Sequence, residues 1–155
     1  MLQEVLEYIH NYFIAKPNPG TYTIANGEIS PMPAMLEGQR FWICGSVLND
    51  GVYTWHKDGI LDDDDTQAAG LLDETYAGTM CALAVPPAVI ALSGEIKQWV
   101  DDNSDAINSA FASESFNDYS YTLKTGGNAQ GDSAGQIGWQ NIFGKRLERW
   151  RRPCL

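Results

Sequence analysis

"QRFWICGSVLNDGVYTW", residues 39–55, sets one apolar run, Phe41-Trp42-Ile43, against a second, Val52-Tyr53-Thr54-Trp55, with Asn49-Asp50-Gly51 between them. Aromatic and β-branched side chains suit a pleated strand. Asn-Asp-Gly supplies the positive backbone angles that a chain reversal needs. The stretch therefore predicts two antiparallel strands. Upstream, "TYTIANGEIS" (21–30) repeats the device with Asn26-Gly27 as the tight turn. Downstream, "TMCALAV" (79–85) predicts a buried strand ended by Pro86-Pro87. Residues 20–85 thus hold about five short strands with turns between them, the pattern of a small barrel-like sheet.

The flanks change period. Leu2, Val5, Leu6, Ile9 and Phe13 recur at helical spacing, and Pro17 and Pro19-Gly20 predict the end of that helix. Val89, Leu92, Ile96 and Trp99-Val100 form a second stripe, stopped at Asp101-Asp102-Asn103. Trp139, Ile142, Phe143, Leu147 and Trp150 form a third, on a helix whose other face is basic. A helix cannot bury its stripe alone. The expected fold is α+β: a small helical bundle, its N-terminal helix packed with two C-terminal helices, carrying an inserted small antiparallel β-barrel-like unit. One domain, 1–155, is expected, with the β-unit at 20–85, the helical part at 1–16 and 88–155, and an extended loop at 106–136.

"SESFNDYSYTLKTGG" (113–127) raises the question of catalysis, because Ser113, Glu114, Ser115 and Asp118 are residue types that enzymes use. No histidine lies nearby to activate a serine. Asn117-Asp118 is turn chemistry, and Tyr119, Tyr121 and Leu123 fall on one face of an extended strand. The reading is a loop that launches a strand. "TGGNAQGDSAGQ" (125–136) is a glycine-rich connection.

The 155 residues carry a net charge of −10, unevenly spread. Lys145, Arg146, Arg149, Arg151 and Arg152 face only Glu148 in the last eleven residues, a +4 end on a −14 body. That asymmetry points to an interaction tail or to a terminal helix with a solvated face. Asp62 to Asp65 lack the spacing and central glycine of a calcium loop and predict an exposed, mobile segment without a metal. Cys44, Cys81 and Cys154 are odd in number, widely spaced, and read as free thiols in a reducing cytoplasm. The opening residues predict no secretory signal, and no apolar run reaches the ~20 residues of a membrane span.

"GWQNIFGK" (138–145) fails as a phosphate loop: its glycines are one residue too far apart, and Arg146 stands where Ser or Thr is needed. His10 and His56 have no companion at ligand spacing. Asp73-Glu74 would point to opposite faces of a strand. No enzyme, cofactor or metal is expected.

"SESFNDYSYT" after a helix, a glycine-rich stretch, and a terminal helix ending "LERWRR" resemble the C-terminal part of the head–tail connector (head-completion or adaptor) proteins of tailed bacteriophages and prophages. "GQRFWICGSVLNDGVYTW" and "LLDETYAGTMCALAVPP" are similar to a β-insert found in a subset of such prophage proteins. Typical members are nearly all helical, so the insert is a departure. The resemblance implies a structural virion protein, present in the host cytoplasm during assembly. It would form a homo-oligomeric ring against the portal protein and the next head-completion or tail protein, with no membrane and no specific nucleic acid as partner. Its contacts would map onto Tyr119, Tyr121 and Leu123 and onto Lys145, Arg146, Arg149, Arg151 and Arg152. The competing readings are an acidic phage-encoded inhibitor that mimics nucleic acid and a small hydrolase.

Overall fold

The computed structural model describes residues 1–107 and 138–153. Helix α1 (Leu2–Tyr8) leads into six strands: β1 (Ile14–Ala25), β2 (Glu28–Ser30), β3 (Gln39–Cys44), β4 (Gly51–His56), β5 (Gly59–Leu61) and β6 (Glu74–Leu83). Helices α2 (Pro87–Asp102) and α3 (Trp139–Leu147) follow, and Glu148–Trp150 adds one turn of 3-10 helix. The strands form one antiparallel sheet in the order β2-β1-β6-β3-β4-β5, curled into a nearly closed barrel. This corrects the expected architecture. The sheet is the body of the molecule and the short helices lie on it; there is no helical bundle with a β-insert.

The correction begins at 14–20. Pro17 and Pro19 predict a break, yet both lie inside the twelve-residue β1, opposite Cys81 and Thr79 of β6. The Asn26-Gly27 hairpin pairs Ala25 with Glu28 and Thr23 with Ser30. Backbone groups alternate sides along an antiparallel strand, so odd-numbered residues of β1 face the β2 side and even-numbered ones face β6. Proline costs a strand only the N–H it cannot donate. At 17 and 19 that N–H would point away from β6, toward an edge with no strand partner among the described residues. The prolines are therefore compatible with a long strand, and the sheet starts at Ile14, inside the segment assigned to helix. Helix α1 is correspondingly short. His10 and Phe13 take positive φ of 53° and 52° and turn the chain into β1.

The two faces of the sheet bury separate cores. Tyr22, Ile24, Ile29, Phe41, Ile43, Tyr76 and Met80 fill the concave interior, with Tyr53, Trp55 and Ile60 packed against them. Strand alternation puts Trp42, Val52 and Cys81 on the opposite face. There they meet Leu2, Val5, Leu6 and Ile9 of the N-terminal segment, Val89, Leu92 and Ile96 of α2, and Trp139, Phe143 and Leu147 of α3. Each fully buried aliphatic side chain contributes about 1.5–3 kcal/mol. Helix α1, at seven residues, is too short to hold itself in water and depends on this packing. Two glycines permit close approaches between elements. A Cβ on Gly78 would run into the Cys44 carbonyl oxygen, and one on Gly144 would lie 2.7 Å from the Tyr8 hydroxyl.

Candidate partner-binding surfaces

The C-terminal cations do not form a loose tail. The Arg152 N–H donates to the Ile9 carbonyl at 3.0 Å, and Asn11 Nδ2 donates to the Trp150 carbonyl at 3.0 Å. Phe13 meets the Trp150 ring edge-on, with centroids 6.1 Å apart. The segment is fastened to the α1–β1 turn, where His10 and Phe13 take their positive φ angles. Arg149 lies 4.7 Å over the Trp150 ring and Arg151 lies 5.1 Å over the Tyr8 ring.

Between α2 and the α3 end runs an open groove of about 490 Å³, lined by Ala88, Ala91, Leu92, Glu95, Lys145, Arg146, Arg149 and Trp150. Its floor is apolar and one wall is cationic. Arg146 makes a fork-like pair with Glu95, at 2.7 and 3.2 Å, and the two charges raise and lower each other's pKa in the expected directions. That pair is largely exposed and adds little to stability. Lys145 and Arg149 lie along the rim with no ion-pair partner among the described residues. Of the predicted contact residues, the structure brings Lys145, Arg146 and Arg149 together on this groove and turns Arg151 toward Tyr8. Tyr119, Tyr121 and Leu123 lie outside the described residues, as do the 113–127 strand and the 125–136 connection.

A second surface was not foreseen. The loop between β3 and β4 is built around Asn49, only 3% exposed. Its Nδ2 donates to the Leu72 carbonyl at 2.9 Å and to Glu74 Oε1 at 2.6 Å, and its Oδ1 accepts the Leu72 N–H at 2.7 Å. The Ser46 hydroxyl accepts the Asn49 N–H at 2.7 Å and donates to Glu74. Asp50 closes the loop by accepting from Trp42 Nε1 at 3.1 Å and from the Gly45 N–H at 3.0 Å. This polar framework holds three side chains outward: Val47 is 91% exposed, Leu72 55% and Leu48 53%. The same loop holds the carboxylates of Asp50 and Glu74, each bonded within the framework. Sequence reading found the reversal at Asn49-Asp50 but not this role, because the partner strand edge lies 23 residues further on.

The acidic run also differs from its expected form. Asp62 accepts from the Thr66 N–H and hydroxyl, each at 2.8 Å. Asp63 accepts from the Met1 amine at 2.9 Å and the Gln3 N–H at 3.0 Å. Asp64 meets Lys97 at 2.9 Å and Asp65 meets Arg40 at 2.8 Å. Asp62 thus closes the loop on itself, and Asp63, Asp64 and Asp65 tie it to α1, α2 and β3. The segment is a clasp, and Asp62 to Asp64 are half-buried, so the expectation of a free exposed loop is corrected. His56 pairs with Glu37 at the surface at 2.7 Å, and Asp73 accepts the Asn26 N–H at 2.8 Å. "GWQNIFGK" lies at the start of and within α3.

No family model, no curated protein and no solved structure matches this chain.

Proposed function

We propose that the chain is a structural connector of a tailed-phage or prophage particle, a head-completion protein that joins portal to tail as a ring of copies. The reading rests on the sequence stretches given above and on one structural observation. The cationic C-terminal segment is fixed on an acidic body as a formed face, with Lys145 and Arg149 unpaired among the described residues along a groove whose floor is apolar. A fixed face of that kind suits repeated contact with an acidic neighbour better than a solvated tail does. The β-sheet body replaces the helical body of typical connectors, and the contact face alone carries the parallel. The nucleic-acid mimic is disfavoured by a specific feature: the acidic run spends its carboxylates on internal partners and does not spread them over a surface.

The test is genetic and visual. A prophage lacking the gene for this chain should yield filled heads without tails by electron microscopy, and supplying the chain should restore tailed particles. Normal tailed particles from the deletion strain remove the proposal.

A further inference from the structure

We propose that the Val47-Leu48 tip of one copy docks in the α2–α3 groove of a second copy. The inference rests on the connector reading for its biological setting, but its physical case stands on three observations. The tip is apolar and held rigid: Ser46, Asn49 and Glu74 fix the loop from within, so Val47 and Leu48 are presented without a large ordering cost on binding. The groove is an open cleft with an apolar floor of Ala88, Ala91 and Leu92 beside Trp150, flanked by charged residues. Charge sorts the pairing. Asp50 and Glu74 are bonded within the tip loop and make it acidic, while Lys145 and Arg149 rim the groove and Glu95 is already occupied by Arg146.

Tip and groove share no residue, so unless two copies exchange both contacts about a two-fold axis the contact is head-to-tail. Such a contact leaves one free tip and one free groove on every growing assembly, which closes only as a ring or continues as a filament. A tip facing another tip would bring two acidic loops together, and a groove facing another groove would bring two cationic rims together. Both symmetric pairings are disfavoured by like charge.

The experiment is sedimentation velocity on the purified full chain, from low-micromolar to near-millimolar concentration. The wild type should form species larger than a dimer, and added salt should weaken them. Leu48→Asp in the tip and Arg149→Glu in the groove should each weaken self-association about tenfold or more, while melting temperatures stay near wild type. Val47→Ser and Lys145→Gln serve as milder versions should either variant melt early. Mixed in equal amounts, the tip variant and the groove variant should form a heterodimer and nothing larger, because one intact tip and one intact groove remain between them. A wild type that stays monomeric throughout overturns the proposal, as does a Leu48→Asp and Val47→Ser pair that associates like wild type. So does a mixture of folded variants that yields no heterodimer. The two proposals fail separately: tailed particles that form normally with Leu48→Asp remove this contact alone. Self-association through tip and groove, with deletion strains still making normal particles, removes the connector role alone.

Discussion

The carboxylate of Asp63 accepts the backbone N–H of Gln3 at 3.0 Å, across sixty residues of chain. It does for α1 what a capping residue does from the adjacent position, satisfying a first-turn donor that has no partner inside the helix. Helix α1 carries no capping bond from its own N-terminal neighbour. Asp63→Ala should therefore destabilise the fold by about 0.5–2 kcal/mol, and Asp63→Asn should recover part of that loss. Urea unfolding of the two variants measures both. Equal midpoints for wild type and Asp63→Ala would show that the clasp does not hold the helix.

Asn49 uses both amide hydrogens and its amide oxygen inside the loop. Asn49→Ala leaves the Leu72 N–H without that acceptor and strips Glu74 of a donor. A buried polar group left unsatisfied costs about 1–3 kcal/mol, and the loss here should lie in or above that range. The same variant should loosen the loop, so limited proteolysis within 45–50 should accelerate. A variant as stable and as resistant as wild type contradicts the role given to Asn49.

The Ser46 hydroxyl beside Glu74, aided by the Asn49 amide, holds the Glu74 carboxyl below the ordinary glutamate range. A group with a depressed folded pKa stabilises the fold above its unfolded value, near ~4.3 for glutamate, and loses that contribution as pH falls through the folded value. The difference in melting temperature between wild type and Glu74→Gln should be constant from neutral pH down to about 5. Below that it should shrink steadily. Other depressed carboxyls, Glu37, Asp62 and Glu95, titrate in both proteins and cancel in the comparison. A difference that persists unchanged into strong acid would place the stabilisation elsewhere.

Trp150 is half-buried between Phe13 and the Arg149 guanidinium. Truncation of a fully enclosed tryptophan costs about 3–5 kcal/mol. Trp150→Ala should fall below that, at about 1–3 kcal/mol. It should also release the docked segment, so hydrogen exchange at the Arg152 N–H should rise more than at the α2 core. A larger rise within α2 than at Arg152 would argue against local docking.

The parts of this fold legible in sequence are those with a local signature. Asn26-Gly27 turns β1 into β2, and Asn49-Asp50 lie in the reversal between β3 and β4. The stripes at Val89, Leu92 and Ile96 and at Trp139, Phe143 and Leu147 lie buried on their helices, whereas Ile142, assigned to the same stripe, is exposed. What escaped depends on partners distant in the chain. Pro17 and Pro19 read as breakers because their tolerance rests on which side of β1 carries β6. The three-residue strand β5 is too short to show a period. Asp62 to Asp65 read as mutually repelling charge until Gln3, Lys97 and Arg40 are brought to them. The groove residues Lys145, Arg146 and Arg149 stood out as cations, but their apolar floor comes from α2, some fifty residues upstream.

The prolines of β1 also bear on how copies could accumulate. Strand-on-strand growth has no natural end, because each added strand exposes a fresh edge like the one it covered. Along Ile14–Thr21 the outward positions 17 and 19 offer no donor to an incoming strand. Backbone zippering is starved on that flank, while side-chain surfaces such as the tip and groove remain usable. Their fixed angle, and not the supply of subunits, would then decide how many copies join before the last meets the first.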